Sequence, residues 1–352
     1  MALQIHNTFN AISIGDITQS EFANILKSYK NAQKVVITDE NTHEYSWPYL
    51  LTSFEGLNTA EVIVLPNGEE NKDIEICEQV WDTLLDYDIQ RSDLIINLGG
   101  GVITDLGGFI ASVYKRGIRF INIPTSLLAM VDASVGGKTG VNFRGFKNQL
   151  GVFALPQAVF CDPIFLKTLP ENEVLSGKAE MLKHGLIASA PLWKEMLKFK
   201  EKLPDKQLLH KAILIKSDIV EQDFNEKNER KKLNFGHTIG HALESRLLNK
   251  DNPATHGECV AWGMLVESYL SVKHNHLSES EFEMVKDLIS SWYSPLPISK
   301  DDFPALLQLM KQDKKNKGDL INFTLLKEIG NAEINKELKE DEIEKGLAYI
   351  FG

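Results

Sequence analysis

Short runs of aliphatic and β-branched residues recur through the first 170 positions, separated by stretches whose apolar residues repeat at helical spacing. The runs KVVIT (34–38), VIVL (62–65), LIINL (94–98) and FINI (120–123) predict strands. Between the second and third, Ile74, Cys77, Val80, Trp81, Leu84 and Leu85 share one face of a helix predicted over 74–87. Strands this apolar, alternating with helices, predict an α/β unit with a largely parallel sheet buried on both faces by crossover helices. After Thr168-Leu169-Pro170 the texture changes: helical periodicity dominates from Glu173, broken at Pro191, Pro204, Pro253 and the SPLP stretch at 294–297. The expected division is an α/β domain over 1–168 and a mostly α-helical domain over 169–352. Within the latter, a lysine-rich turn at 313–317 precedes a strand-like piece at 320–326, and a last helix is expected over about 340–350. No internal repeat or low-complexity tract interrupts this plan.

Composition narrows the function classes. The 352 residues are 43% hydrophobic and 25% charged, ordinary for a globular enzyme of about two domains. The formal charge of −11 argues against non-specific binding of nucleic acid or an anionic membrane. Three widely spaced cysteines (Cys77, Cys161, Cys259) without a CxxC pair fit a reducing compartment rather than a disulfide scaffold or a cysteine zinc site. No run approaches the ~20 apolar residues of a membrane span, and the N-terminus lacks the pattern of a signal peptide. A cytoplasmic location is the expectation.

Two glycine-rich stretches are candidates for anion binding. In LIINLGGGVITDLGGF, a strand, a turn at 99–101 and a helix follow one another, so backbone N–H groups and a helix N-terminus face one point. A dinucleotide pyrophosphate is the usual occupant, although Thr104 stands where the fingerprint has a third glycine. Asp39, closing KVVITD, is placed to take a ribose hydroxyl or simply to make a turn. The Gly137-Lys138-Thr139 triplet is not a nucleotide-triphosphate loop, because Asp132 occupies the position where that motif needs glycine. What remains is a flexed segment carrying Asp132, Lys138 and Thr139, followed by Lys147 and Asn148.

The helical half carries metal-ligand chemistry. NFGHTIGH puts His237 and His241 four residues apart, roughly 40° around a helix. His256 begins another helical run, and Glu180 and Lys183 lie three apart on a third. Two imidazoles and a carboxylate from separate helices suit a catalytic zinc with an open position. Spacing favours His237 with His241 and leaves the choice of pair open. Lys138, Lys147, Lys183, Lys216 and Arg230 beside these motifs, in an acidic chain, point to a doubly anionic substrate such as a phosphate bearing a carboxylate.

The motifs GGGVITDLGGF, RGIRFINIPTSLLAMVDASVGGKTGVN, KNQLG, GKAEMLKHG, LNFGHTIGHALE, HGECVAWGM and DKK, in this order from about residue 35 to about 326, resemble 3-dehydroquinate synthase, a family of the sugar phosphate cyclases. The resemblance implies a Rossmann-like dinucleotide-binding domain, a helical metal-binding domain, a site in the cleft between them, and a homodimer. It implies zinc, with cobalt as a substitute, on Glu180, His237 and His256, with His241 facing substrate instead. It implies NAD contacts from Asp39, Gly68, Glu69, Lys72, Gly101, Val102, Ile103, Thr104, Asp105, Thr125, Ser126, Lys138, Lys147, Phe165, Leu166, Lys167 and Thr168. Lys216 and Arg230 match positions that grip the substrate carboxylate, and Asn148, Asn234, His241 and Lys314 match those around the phosphate. Arg116 matches an arginine that reaches a neighbouring subunit's site, and Asp132 and Lys183 match groups beside the reacting hydroxyls. The implied reaction turns 3-deoxy-D-arabino-heptulosonate 7-phosphate into 3-dehydroquinate and phosphate through transient oxidation by NAD, phosphate elimination, re-reduction and intramolecular aldol closure. Thr104, Ser126, Phe146, Phe224 and Asn228 depart from the family's usual residues. The alternatives are another sugar phosphate cyclase, a metal-dependent polyol or glycerol phosphate dehydrogenase, or a non-catalytic NAD- or metal-binding regulator.

Overall fold

The computed structural model describes residues 2–7, 11–144, 146–248, 253–311 and 320–352. Its contacts divide the chain into two compact units: Met1–Pro170 with Leu203–Glu221, and Glu171–Lys202 with Gln222–Gly352. The segment Leu203–Glu221, which a boundary at 168 assigns to the helical half, thus packs with the first unit.

The first unit is built on a seven-stranded sheet. In chain order its strands are β1 (Leu3–His6), β2 (Ala11–Ile14), β3 (Lys34–Asp39), β4 (Glu61–Leu65), β5 (Leu94–Gly99), β6 (Arg119–Pro124) and β9 (Ala158–Cys161), arranged β1-β2-β9-β6-β5-β3-β4. All neighbours run parallel except β1 against β2. All six residues of β5 and the first five of β3 are buried, as their apolar runs predict. VIVL differs: β4 is the edge strand, and Val64 is 43% exposed, so an apolar run does not by itself show burial on both faces. The expected helix forms over Ile74–Asp86, started by Asp73, whose carboxylate accepts the Ile76 N–H at 2.9 Å.

A second small sheet in this unit escapes the sequence pattern. The glycine-rich segment after Asp132 forms β7 (Lys138–Phe143), antiparallel to β8 (Phe146–Phe153). Gly140 faces Gly151, and a Cβ on Gly140 would lie 2.6 Å from the Leu150 carbonyl oxygen, so these glycines serve close strand pairing rather than a loop.

The second unit is mostly helical, with one antiparallel hairpin, β10 (Ile321–Glu328) and β11 (Asn331–Leu338). The first of these and the last helix, Glu340–Phe351, follow the sequence pattern closely. β11 (NAEINKEL) has only two fully buried residues and carries too little apolar signal to be read as a strand. Three helices carry the candidate metal ligands: Glu171–Ala188, His237–Leu247 and His256–His274. The last two touch through glycines. A Cβ on Gly263 would lie 2.1 Å from the Gly236 carbonyl oxygen, and one on Gly236, at φ 79°, would lie 2.3 Å from Met264 Cγ.

Candidate functional site

In the first unit, the carboxyl ends of the parallel strands gather the residues expected to meet a nucleotide. β3 has β4 on one side and β5 on the other, so the chain reverses its direction of winding between β3 and β5, where open α/β sheets bind ligands. Asp39 ends β3, Gly99 ends β5, Thr125 and Ser126 follow β6, and Gly68, Glu69 and Lys72 follow β4. The helix Gly101–Val113 starts directly behind Gly100, its N-cap, and carries Gly101, Val102, Ile103, Thr104 and Asp105 in its first turns. Thr104 does not disturb this turn: it is buried, and its hydroxyl donates to the Gly101 carbonyl at 3.1 Å. Ser126 Oγ accepts the Ala129 N–H at 3.2 Å, so this departure too has a local partner. Asp39 caps the next helix by accepting the Thr42 N–H at 2.8 Å, a turn role that occupies one of its two oxygens. Phe165, Leu166, Lys167 and Thr168 form a short 3₁₀ turn, the first two buried and the last two exposed.

A hydrogen-bond network centred on the buried Lys72 ties this edge to the β7–β8 hairpin. Lys72 Nζ donates to Asp105 Oδ2 at 2.6 Å and to Asn148 Oδ1 at 2.7 Å. The Asn148 N–H in turn donates to Asn142 Oδ1 at 2.9 Å, and Asn142 Nδ2 reaches Glu69 Oε1 at 3.0 Å. Burial pushes the Asp105 carboxyl upward, and Lys72 opposes that shift. Lys138 and Lys147 stand exposed on the same hairpin. Lys216, from the segment that joins this unit late in sequence, donates to the Asp132 carbonyl at 2.6 Å and pairs with Asp132 Oδ1 at 2.7 Å. Arg116 is exposed at φ 65°, between Lys115 at φ 48° and Gly117 at φ 110°. Two successive left-handed non-glycine residues store backbone strain, which fixes where that arginine leaves the surface.

In the second unit, Glu180, His237 and His256 offer ligand atoms that all lie within 4.8 Å of one another. Glu180 Oε1 is 3.4 Å from His237 Nε2 and 3.6 Å from His256 Nε2, yet among the described residues it has no hydrogen-bond partner. Ligands on a tetrahedral ion with bonds of about 2.0–2.1 Å sit about 3.3–3.4 Å apart, so the donor atoms are spaced as a shared cation requires. Both rings are turned by their other nitrogen. His237 Nδ1 lies 3.1 Å from the Phe235 carbonyl, and His256 Nδ1 lies 3.2 Å from Glu244 Oε2. Each Nδ1 thus faces an acceptor and each Nε2 is turned inward toward Glu180 Oε1, the orientation metal-bound histidines adopt. Lys183 pairs with Glu180 Oε2, which leaves Oε1 to face the imidazoles.

The three ligand side chains differ in their electrostatics. Burial alone would raise Glu180, but Lys183 and His237 hold it well below the carboxylate range. Burial opposes a charged His256, yet Glu180 and Glu244 override it and push its pKa up to about 10. Burial and Lys183 lower that of His237. His241 lies near, its ring centroid 5.2 Å from that of His237 and 5.8 Å from that of His256, but it is not among the three converging ligand atoms. The pairing of His237 with His241 suggested by spacing is therefore not the one the backbone brings onto Glu180. Gly257 makes the convergence geometric: its N–H donates to Ser176 Oγ at 3.0 Å, and the two backbones touch one turn before Glu180.

Arg230 is buried in a loop wound around the Asp223 carboxylate, which accepts the N–H groups of Lys227, Asn228 and Arg230 at 2.9, 2.6 and 3.1 Å. The Arg230 guanidinium donates to the Phe224 carbonyl at 2.7 Å. Phe224 and Asn228 serve here through backbone atoms, so their unusual side chains leave the loop's bonding intact. Asn234 Nδ2 donates to Glu226 Oε1 at 3.0 Å, with Glu226 itself at φ 57°. Lys314 lies outside the described residues.

Glu244 is the neighbour that spacing did not reveal, although it ends the motif LNFGHTIGHALE. Seven residues separate it from His237, two turns on the same helix, and only the antiparallel return of the chain puts His256 beside it. Glu244→Gln is expected to weaken metal binding about 10–100-fold while the fold is kept, as competition with a chelating dye would measure.

Two family descriptions match the chain: 3-dehydroquinate synthase N-terminal over residues 62–176 and 3-dehydroquinate synthase C-terminal over 177–316. A 3-dehydroquinate synthase of Parabacteroides distasonis is 42% identical over 335 residues, 94% of this chain and 95% of that protein. One of Clostridium acetobutylicum is 39% identical over 322 residues, 90% of each. Among solved structures, a 2-epi-5-epi-valiolone synthase of Streptomyces hygroscopicus with NAD⁺ and Zn²⁺ bound superposes with a TM-score of 0.86 at 25% identity, covering 98% of both chains. A 2-deoxy-scyllo-inosose synthase, complexed with carbaglucose-6-phosphate, NAD⁺ and Co²⁺, shares the fold at a TM-score of 0.84 and 22% identity, covering all of both chains.

Proposed function

The chain belongs to the 3-dehydroquinate synthase family, and from that premise we propose that it converts 3-deoxy-D-arabino-heptulosonate 7-phosphate into 3-dehydroquinate and phosphate. The observation that carries this reading is the convergence of Glu180 Oε1, His237 Nε2 and His256 Nε2 at metal-ligand spacing. These three residues would hold one divalent cation, zinc or cobalt, with a coordination position open to substrate oxygen. The residues at the carboxyl ends of β3, β5 and β6 would hold NAD. When bound, the cation supplies Lewis acidity toward substrate hydroxyls and the nucleotide a reversible hydride acceptor.

The chain's own groups bind and orient. Lys216 and Arg230 grip the substrate carboxylate; Lys216 exchanges its present partner, Asp132, for the ligand. Lys138, Asn148, Asn234, His241 and Lys314 would bind the phosphate. Asp132 and Lys183 flank the reacting hydroxyls, and Lys183 keeps Glu180 ionised by its contact with Oε2. Fixing both anionic ends of a flexible sugar acid removes rotational freedom before reaction, an effect worth about 7–11 kcal/mol of barrier at its upper limit.

A cytoplasmic homodimer in which Arg116 serves the neighbouring subunit completes the proposal. Its supports are the three buried cysteines, none of them in a disulfide, and the strained, outward turn that presents Arg116. Among the described residues no helix is long and apolar enough to cross a membrane.

The test is phosphate release from the heptulosonate phosphate. It should require catalytic rather than stoichiometric NAD⁺, stop after treatment with a chelator, and return with Zn²⁺ or Co²⁺. Continuous gain of NADH absorbance would identify a dehydrogenase instead, and release from other sugar phosphates alone would identify a different cyclase.

A further inference from the structure

The helix that begins at His256 carries a buried acid, Glu267, with no part in the proposed chemistry. Glu267 follows His256 by eleven residues, about three turns, and so lies on nearly the same face. Its side chain is fully buried. Oε2 accepts the Gly236 N–H at 2.6 Å and Oε1 the Ile239 N–H at 3.3 Å. These are opening N–H groups of the helix His237–Leu247, which lack partners within their own helix. That helix cannot cap itself, because its N-cap is Gly236. Burial pushes the Glu267 carboxyl up to about 8, against the pull of these amides.

The two helices run antiparallel. Gly236 lies against Met264, Gly240 against Val260, and Glu244 against His256. Each helix therefore sends one carboxylate to the other: Glu244 to the start of the His256 helix, and Glu267 to the start of the His237 helix. Between these clasps the two helices approach closely at Gly236, Gly240 and Gly263, so the ends of the contact are where side-chain hydrogen bonds set the register. One residue of slip moves a helix by about 1.5 Å, whereas metal–ligand distances are kept within about 0.2 Å.

We propose that Glu267 is a positioning residue for the metal centre, fixing the register of the His237 helix on the His256 helix and thereby the separation of the two imidazoles. This rests on the reading that His237 and His256 share a cation. Glu267→Gln keeps the shape but turns an NH₂ group toward amide donors, which breaks the clasp.

Metal-free full-length wild type and E267Q are compared by Co²⁺ titration, reading the visible ligand-field band and the affinity against a chromophoric chelator, with thermal unfolding followed in parallel. The expected result is Co²⁺ affinity weaker by about 10–100-fold with an altered band. A lowered unfolding midpoint with unchanged Co²⁺ affinity and band is what a purely structural acid would give, and overturns the proposal. Should E267Q not fold, E267D decides: it keeps the carboxyl group one methylene short, and Co²⁺ binding equal to wild type overturns the proposal equally. Wild type that binds no Co²⁺ overturns the metal reading itself, a failure distinct from that of Glu267 alone.

Discussion

His256→Ala is expected to lose its zinc, and His241→Ala to keep it. The two histidines flank His237 at similar ring distances, 5.5 Å and 5.2 Å, so proximity does not separate them. Direction does: Nε2 of His256 faces Glu180 Oε1, and its Nδ1 is engaged by Glu244. Removing a ligand should cost more than the ~10–100-fold loss typical of a residue that only supports one. His256 opens its helix and its side chain is 30% exposed, so alanine there disturbs little packing and the protein should remain folded. His241→Ala should retain stoichiometric zinc and lose turnover, since its ring faces the same space without joining the ligand atoms. Metal analysis after desalting, paired with phosphate release, distinguishes the two. Equal loss of zinc in both variants would restore the His237–His241 pair and defeat the Glu180–His237–His256 site.

Gly257→Ala should damage both fold and site. The added Cβ would lie 2.2 Å from Ser176 Cα, 2.4 Å from its carbonyl oxygen and 2.7 Å from its carbonyl carbon. All three are backbone atoms, so no rotamer relieves the overlap and the helices must part. Overpacking of this kind costs about 1–3 kcal/mol, and the Gly257 N–H bond to Ser176 Oγ goes with it. Because Ser176 precedes Glu180 by one helical turn, the separation also draws His256 away from Glu180. The expected readouts are a lower denaturant midpoint and weaker zinc binding in one variant. Gly56→Ala is the control: its Cβ would meet Leu26 at 3.4 Å, an ordinary contact, and both properties should stay near wild type. A Gly257→Ala protein of unchanged stability and zinc affinity would falsify the claim that this contact sets the centre.

Much of the scaffold was readable because hydrophobic burial writes itself into the chain. Strands β3, β5 and β6 and the helix Ile74–Asp86 lie where their apolar patterns put them. The pattern failed where burial and sequence part company. β4 is apolar but lies at the sheet's edge, and β11 is a strand with little apolar content. The glycines of β7 and β8 looked like a loop because a sequence shows that a residue lacks a side chain and not what backbone approaches it.

The candidate site divides along the same line. The order of residues along the chain establishes which groups are present: the glycine turn after β5, the histidines and Glu180, and an unusual set of lysines and arginine in an acidic chain. Helical spacing is local, so it could pair His237 with His241, four residues apart. It could not weigh His256, nineteen residues on, whose place depends on a chain reversal and on a glycine contact with a third helix. Tertiary structure decided that Glu180 Oε1 faces His237 and His256, that Glu244 and the Phe235 carbonyl turn their rings, and that Lys72 joins the strand ends to Asn148. The physical reason is reach: a side chain's identity is carried by one position, but its partners at about 3 Å are chosen by how whole helices and strands pack.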